Sequence, residues 1–100
     1  MAFPTITTHG ATLPALGFGV FRASDEDVER VVPAALAAGF RHFDTAQTYR
    51  NEAALGRALK AAGVPRDELF ITTKVWVDQY GEDRFAASVD ESLQKLQLDH

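Results

Sequence analysis

Gly39-Phe-Arg-His-Phe-Asp-Thr-Ala-Gln-Thr-Tyr-Arg-Asn-Glu52 runs from a glycine through an apolar–polar alternation into a polar loop. Phe40 to Ala46 reads as a strand, with His42 and Asp44 on one face. Gly39 suits the left-handed residue that ends a preceding helix. A following helix is predicted from about Asn51 to Ala62, with Leu55, Ala58, Leu59 and Ala62 on one side and Gly63 closing it.

Upstream, Ser24 reads as an N-cap with Asp27 three residues on. Asp25, Glu26 and Asp27 sit where a helix N-terminus favours negative charge. Val28, Val31, Val32, Ala35 and Leu36 then recur at helical spacing, and Pro33, which lacks an N–H, is expected to kink that helix. Leu16 to Val20 is a glycine-interrupted apolar run, either a strand or the loop after one. Residues 3–14 read as a hairpin around His9-Gly10. Downstream, Pro65 and Asp67 make a turn, and Leu69 to Val77 is a strand rich in β-branched and aromatic residues. Glu82 to Leu96 is a helix whose stripe is Phe85, Val89, Leu93 and Leu96.

The order is hairpin, then three βα units, which implies a parallel sheet with right-handed crossovers. A closed (βα)8 barrel takes roughly 250 residues, and this chain has 100. It is therefore expected to be the first part of a larger fold, with a further strand after Asp99-His100 to cover the edge of the third. A small flavodoxin-like sheet is the alternative, although such folds usually have five strands.

Composition narrows the function. The chain is 46% hydrophobic and 24% charged, with a net charge of −4 and no cysteine. That is a globular composition and excludes disorder as the default. An acidic chain without a run of Lys or Arg is expected to bind no nucleic acid. No apolar run has the length of a membrane span, and Met1-Ala-Phe-Pro-Thr5 is no secretory leader, so a cytoplasmic protein with no membrane partner is expected. A disulfide framework and cysteine-ligated zinc are excluded. His9, His42 and His100 are scattered, so no metal site is expected. Ser24, Ser88 and Ser92 fall on helix ends or faces, outside any nucleophile motif. Gly17-Phe-Gly19-Val-Phe-Arg22 begins like a dinucleotide fingerprint, but Arg22 stands where the third glycine belongs. A tight βα turn is the favoured reading. Gly56 within the second helix is read as a close helix–sheet approach.

The residues that could carry chemistry converge on one end of the sheet. Asp44 lies at the C-terminal end of the second strand, Tyr49 in the loop after it, and Lys74 near the C-terminal end of the third. Ligands bind at such strand ends in parallel α/β folds. A Lys and an Asp on adjacent strands can pair, and a cation beside Tyr49 would favour the phenolate. That would lower the phenol pKa from its reference near 10 and suit Tyr49 to general-acid work. The same placement also suits a structural ion pair with a surface tyrosine.

Gly39 to Gly56 resembles the first signature of the aldo-keto reductase superfamily. Leu13-Pro-Ala-Leu-Gly-Phe-Gly19, Ile71-Thr-Thr-Lys-Val-Trp76 and Ser92-Leu-Gln-Lys-Leu96 are similar to it too, in order and spacing. The likeness covers essentially the whole chain and is nearest to the bacterial 2,5-diketo-gluconate reductase type. It implies a (βα)8 TIM barrel, of which residues 1–14 are a bottom-plugging hairpin and 15–100 the first three βα units. It implies NADPH as cofactor, a small carbonyl substrate and a monomeric full-length enzyme. Asp44, Tyr49 and Lys74 match three members of a catalytic tetrad, and the fourth, a histidine, would lie beyond His100. Gly19, Val20 and Asp44 match cofactor positions. Phe21 and Trp76 match walls of the substrate pocket, with core packing as their alternative. Lacking that histidine and most of the cofactor site, the 100 residues alone are expected to be inactive. A non-catalytic scaffold derived from the barrel is the alternative function.

Overall fold

Residues 3–100 are described by a computed structural model. Thr5–Thr8 (β1) and Ala11–Pro14 (β2) form an antiparallel hairpin, its turn made by His9 and Gly10 at φ of 48° and 79°. Positive φ at both central residues matches the twist of the strands they join. Gly17–Gly19 (β3), His42–Asp44 (β4) and Phe70–Thr72 (β5) form a parallel sheet in the order β3-β4-β5. Asp25–Ala38 (α1), Glu52–Ala62 (α2) and Glu82–Leu96 (α3) follow the three strands in turn. The glycine-interrupted run before α1 is thus a strand.

Ser24 caps α1, its side chain accepting from the Asp27 N–H at 3.1 Å. Gly39, at φ 108°, ends the helix: its N–H donates to Leu36 and the Phe40 N–H to Ala35. Such a double closure satisfies carbonyls the helix would orphan. α1 is one continuous helix through Pro33, which is exposed. The carbonyl that loses its partner there can turn to water.

The strands are shorter than the alternation suggested, but parallel bonding continues beyond them. Thr45 N–H donates to Thr72 and Gln47 N–H to Lys74. Phe43 points to the helices and is fully buried with Val28, Val32, Leu55, Leu59 and Leu96. His42 and Asp44 take the opposite face. The His42 ring bonds the Pro14 carbonyl at 3.2 Å and the Thr72 hydroxyl at 3.1 Å, which ties the hairpin to the N-terminal end of the sheet. Since that carbonyl can only accept, Nδ1 carries the proton there.

Two expectations about the helices change. Gly56 faces α3, not the sheet: a Cβ there would lie 2.5 Å from the Lys95 carbonyl oxygen. Ala62 is exposed, because α2 ends as it clears the core.

Candidate active site

Parallel register builds the site. Gly19 pairs with Asp44, and Asp44 with Thr72. Lys74, two residues past Thr72, therefore projects on the same side of the sheet as Asp44. The Lys74 Nζ donates to Asp44 Oδ1 at 2.5 Å and to the Thr45 carbonyl at 3.0 Å. It stands 3.5 Å from the Tyr49 hydroxyl and 5.1 Å from the centre of its ring. The contact with the hydroxyl is long for a hydrogen bond, so charge dominates it. The Asp44–Lys74 pair is partly open to solvent, with side chains 36% and 50% exposed.

Burial pulls the Lys74 ammonium down and is the largest single influence on it. The hydrogen bond with Asp44 and its charge, together with the longer contact with Tyr49, outweigh that burial and hold its pKa above the ordinary lysine range.

The aromatic positions divide. The Phe21 ring lies 5.1 Å from that of Tyr49 and is 64% exposed. Trp76 is 47% exposed in the loop after β5, where it lines a polar cleft of about 230 Å³ with Gln47, Thr48 and Lys95. Neither ring is in the core. Gly19 is exposed beside Asp44, and a Cβ on it would meet nothing within 4 Å. Val20 is different. It is buried to 1%, its N–H bonds Asp44, and its carbonyl accepts from Ala23 and Asn51. Its side chain packs beneath the site instead of facing it.

Several supporting residues escape sequence reasoning. Asn51, 1% exposed, occupies the N-cap position of α2 but makes no side-chain cap. Its amide donates to the carbonyls of Val20 and Ala23, and its oxygen accepts from the Thr45 hydroxyl at 2.7 Å. It thereby pins the loop that carries Phe21. Buried Glu52 accepts from Thr73 at 2.8 Å. A polar residue at a helix start is the signal Asn51 offers, and that signal points to the wrong partner. Among the described residues, no group of three or more His, Asp or Glu side chains could hold a metal, and no helix is long and apolar enough to cross a membrane.

Hairpin and βα units are the opening section of a TIM barrel, with a lysine–aspartate–tyrosine cluster at the strand C-termini. The chain belongs to the aldo/keto reductase family, whose sequence profile matches residues 15–100. The methylglyoxal reductase DkgA of Salmonella typhimurium is 51% identical over 102 aligned positions, covering 100% of this chain and 36% of that protein. A crystal structure provisionally named 2,5-diketo-D-gluconic acid reductase B superimposes with a TM-score of 0.93 at 56% identity, over 100% of this chain and 35% of the other. A Bombyx mori aldo-keto reductase in complex with NADP gives 0.94 at 36% identity, over 100% and 36%. The chain thus spans about a third of the length of the relatives it matches.

Proposed function

We propose that this chain is the opening third of a barrel that reduces small aldehydes and ketones to alcohols with NADPH. The supporting observation is the Lys74 ammonium, held by Asp44 and the Thr45 carbonyl beside the Tyr49 hydroxyl. In this reading Tyr49 gives its proton to the substrate carbonyl oxygen. The Lys74 charge stabilises the negative charge that grows on the phenolic oxygen as the proton leaves. Asp44 orients the ammonium. Phe21 and Trp76 wall the substrate, and the hairpin closes the bottom of the barrel.

The residues present fit a nicotinamide cofactor. Gly19, which has no side chain, pairs with Asp44 at the strand C-termini, and a Bombyx mori family member is in complex with NADP. Gly19 and Asp44 would lie against it, and when bound it supplies the hydride for the carbonyl carbon. Val20 would support this surface from below. The fourth catalytic group, a histidine after residue 100, completes the site, so residues 1–100 by themselves do not turn over. The full-length enzyme is a cytoplasmic monomer.

Tyr49→Phe in the full-length protein tests the reading. Turnover is expected to fall about 10²–10⁴-fold, the usual contribution of a positioned acid, while NADPH still binds. Turnover at the parent rate would reject Tyr49 as the acid.

A further inference from the structure

We infer that Gln47 is a positioning residue that sets the Trp76 wall of the substrate site, an assignment that rests on the reductase reading above. Its side chain spans the gap between the loop after β5 and α3. Oε1 accepts from the Trp76 N–H at 2.9 Å, and Nε2 donates to the Ser88 carbonyl and the Ser92 hydroxyl, each at 3.3 Å. The amide has one workable orientation, because a backbone N–H only donates and a carbonyl only accepts.

The main chain of the same residue holds a second point. The Gln47 N–H donates to the Lys74 carbonyl at 3.1 Å. One residue therefore grips the outgoing chain twice, at Lys74 through its backbone and at Trp76 through its side chain. The α3 anchors are buried, with Ser88 5% and Ser92 3% exposed. The Trp76 ring, by contrast, is half exposed and is not among the residues packed in the core of this chain. The Gln47 amide thus transmits the position of a rigid helix to the start of the loop that carries the indole. A side-chain substitution at 47 spares the backbone bond to Lys74. Its effect falls on the substrate wall more than on proton transfer.

The test uses Gln47→Leu, which removes both arms, and Gln47→Glu, which keeps an acceptor for the Trp76 N–H. Both are made in the full-length protein and assayed with NADPH on methylglyoxal and on 4-nitrobenzaldehyde. For Gln47→Leu, KM for the aromatic aldehyde is expected to rise roughly fivefold, as for loss of one neutral hydrogen bond, with a smaller change in kcat. Gln47→Glu recovers part of that loss. Trp76 labelled as 5-fluorotryptophan, its ¹⁹F line assigned by its loss in Trp76→Phe, shifts in Gln47→Leu and shifts less in Gln47→Glu. An unmoved ¹⁹F line, or a fall in kcat with KM unchanged, overturns the assignment. A parent protein that reduces neither aldehyde overturns the reductase reading instead, and the ¹⁹F line still decides whether Gln47 holds Trp76.

Discussion

Lys74 Nζ lies 2.5 Å from Asp44 Oδ1, although thirty positions separate the two residues. Neither strand makes this pair alone. The parallel ladder sets Asp44 level with Thr72, and the two-residue period of a strand brings Lys74 round to the same side. The pair then fixes where the ammonium stands relative to Tyr49.

Its pH dependence follows from the raised Lys74 pKa. A lysine whose folded pKa exceeds its unfolded one adds stability that is fully present below the ordinary lysine range. That stability disappears as pH rises through the folded value. In Asp44→Asn the opposing influence, burial, meets only the contact with Tyr49. Lys74 is then expected to lose its proton at lower pH than in the parent, read from the Lys74 Cε chemical shift during an alkaline titration. Identical titration curves would show that Asp44 does not hold the ammonium.

Asn51→Leu strips three partners at once. The Thr45 hydroxyl and the Ala23 carbonyl lose the amide that satisfies them, while the Val20 carbonyl keeps the Ala23 N–H. A buried polar group left unpaired costs roughly 1–3 kcal/mol, so urea unfolding should shift by at least that much. The loop between β3 and α1 should also exchange its amide hydrogens faster. An unchanged unfolding midpoint would mean that water replaces the amide without loss.

Much of this was legible in the sequence. The predicted bounds of α3, Glu82 to Leu96, coincide with the observed ones, because one apolar stripe runs the length of that helix. The Ser24 cap and the Gly39 stop are local signals and appear where expected. Strand parity brings Asp44 and Lys74 to one side and chain order puts Tyr49 in the loop after Asp44, while their catalytic reading comes with the family resemblance. What escaped depends on partners far away in the chain. The side chain of Asn51 turns from its own helix to a loop some thirty residues earlier, and Gln47 reaches α3. Residues on a predicted stripe can also stay open: Phe85 and Val89 are 47% and 37% exposed in a chain that spans about a third of the length of its relatives.

Ser24→Ala removes the cap of α1 and is expected to cost about 0.5–2 kcal/mol, measured by thermal or urea unfolding. It also touches Asp27, whose carboxyl is held below the ordinary range by the Arg30 side chain first and by Ser24 second. Stability linked to a depressed carboxylate is present above its unfolded pKa and lost as pH falls through the folded one. The Asp27 pKa should therefore rise part of the way towards normal in the variant, with Arg30 keeping the remainder. A full return to the ordinary value would leave Arg30 no share in it.

Gly56→Ala sets two effects of opposite sign against each other. Alanine favours the helix over glycine by about 1 kcal/mol, so an open site would gain stability. At this position the new Cβ would sit 2.5 Å from the Lys95 carbonyl oxygen and 2.7 Å from the Leu96 Cα. Both are backbone atoms at the end of α3 and cannot swing aside as a side-chain tip could. Forcing an extra carbon into a packed contact typically costs 1–3 kcal/mol, and contacts this short put the site near the upper end of about that range. The clash outweighs the propensity gain, and the variant should unfold at a lower urea concentration than the parent. Loosening should concentrate where α2 meets α3, seen as faster hydrogen exchange around Leu96. A more stable Gly56→Ala would mean that the two helices are not held this close in solution.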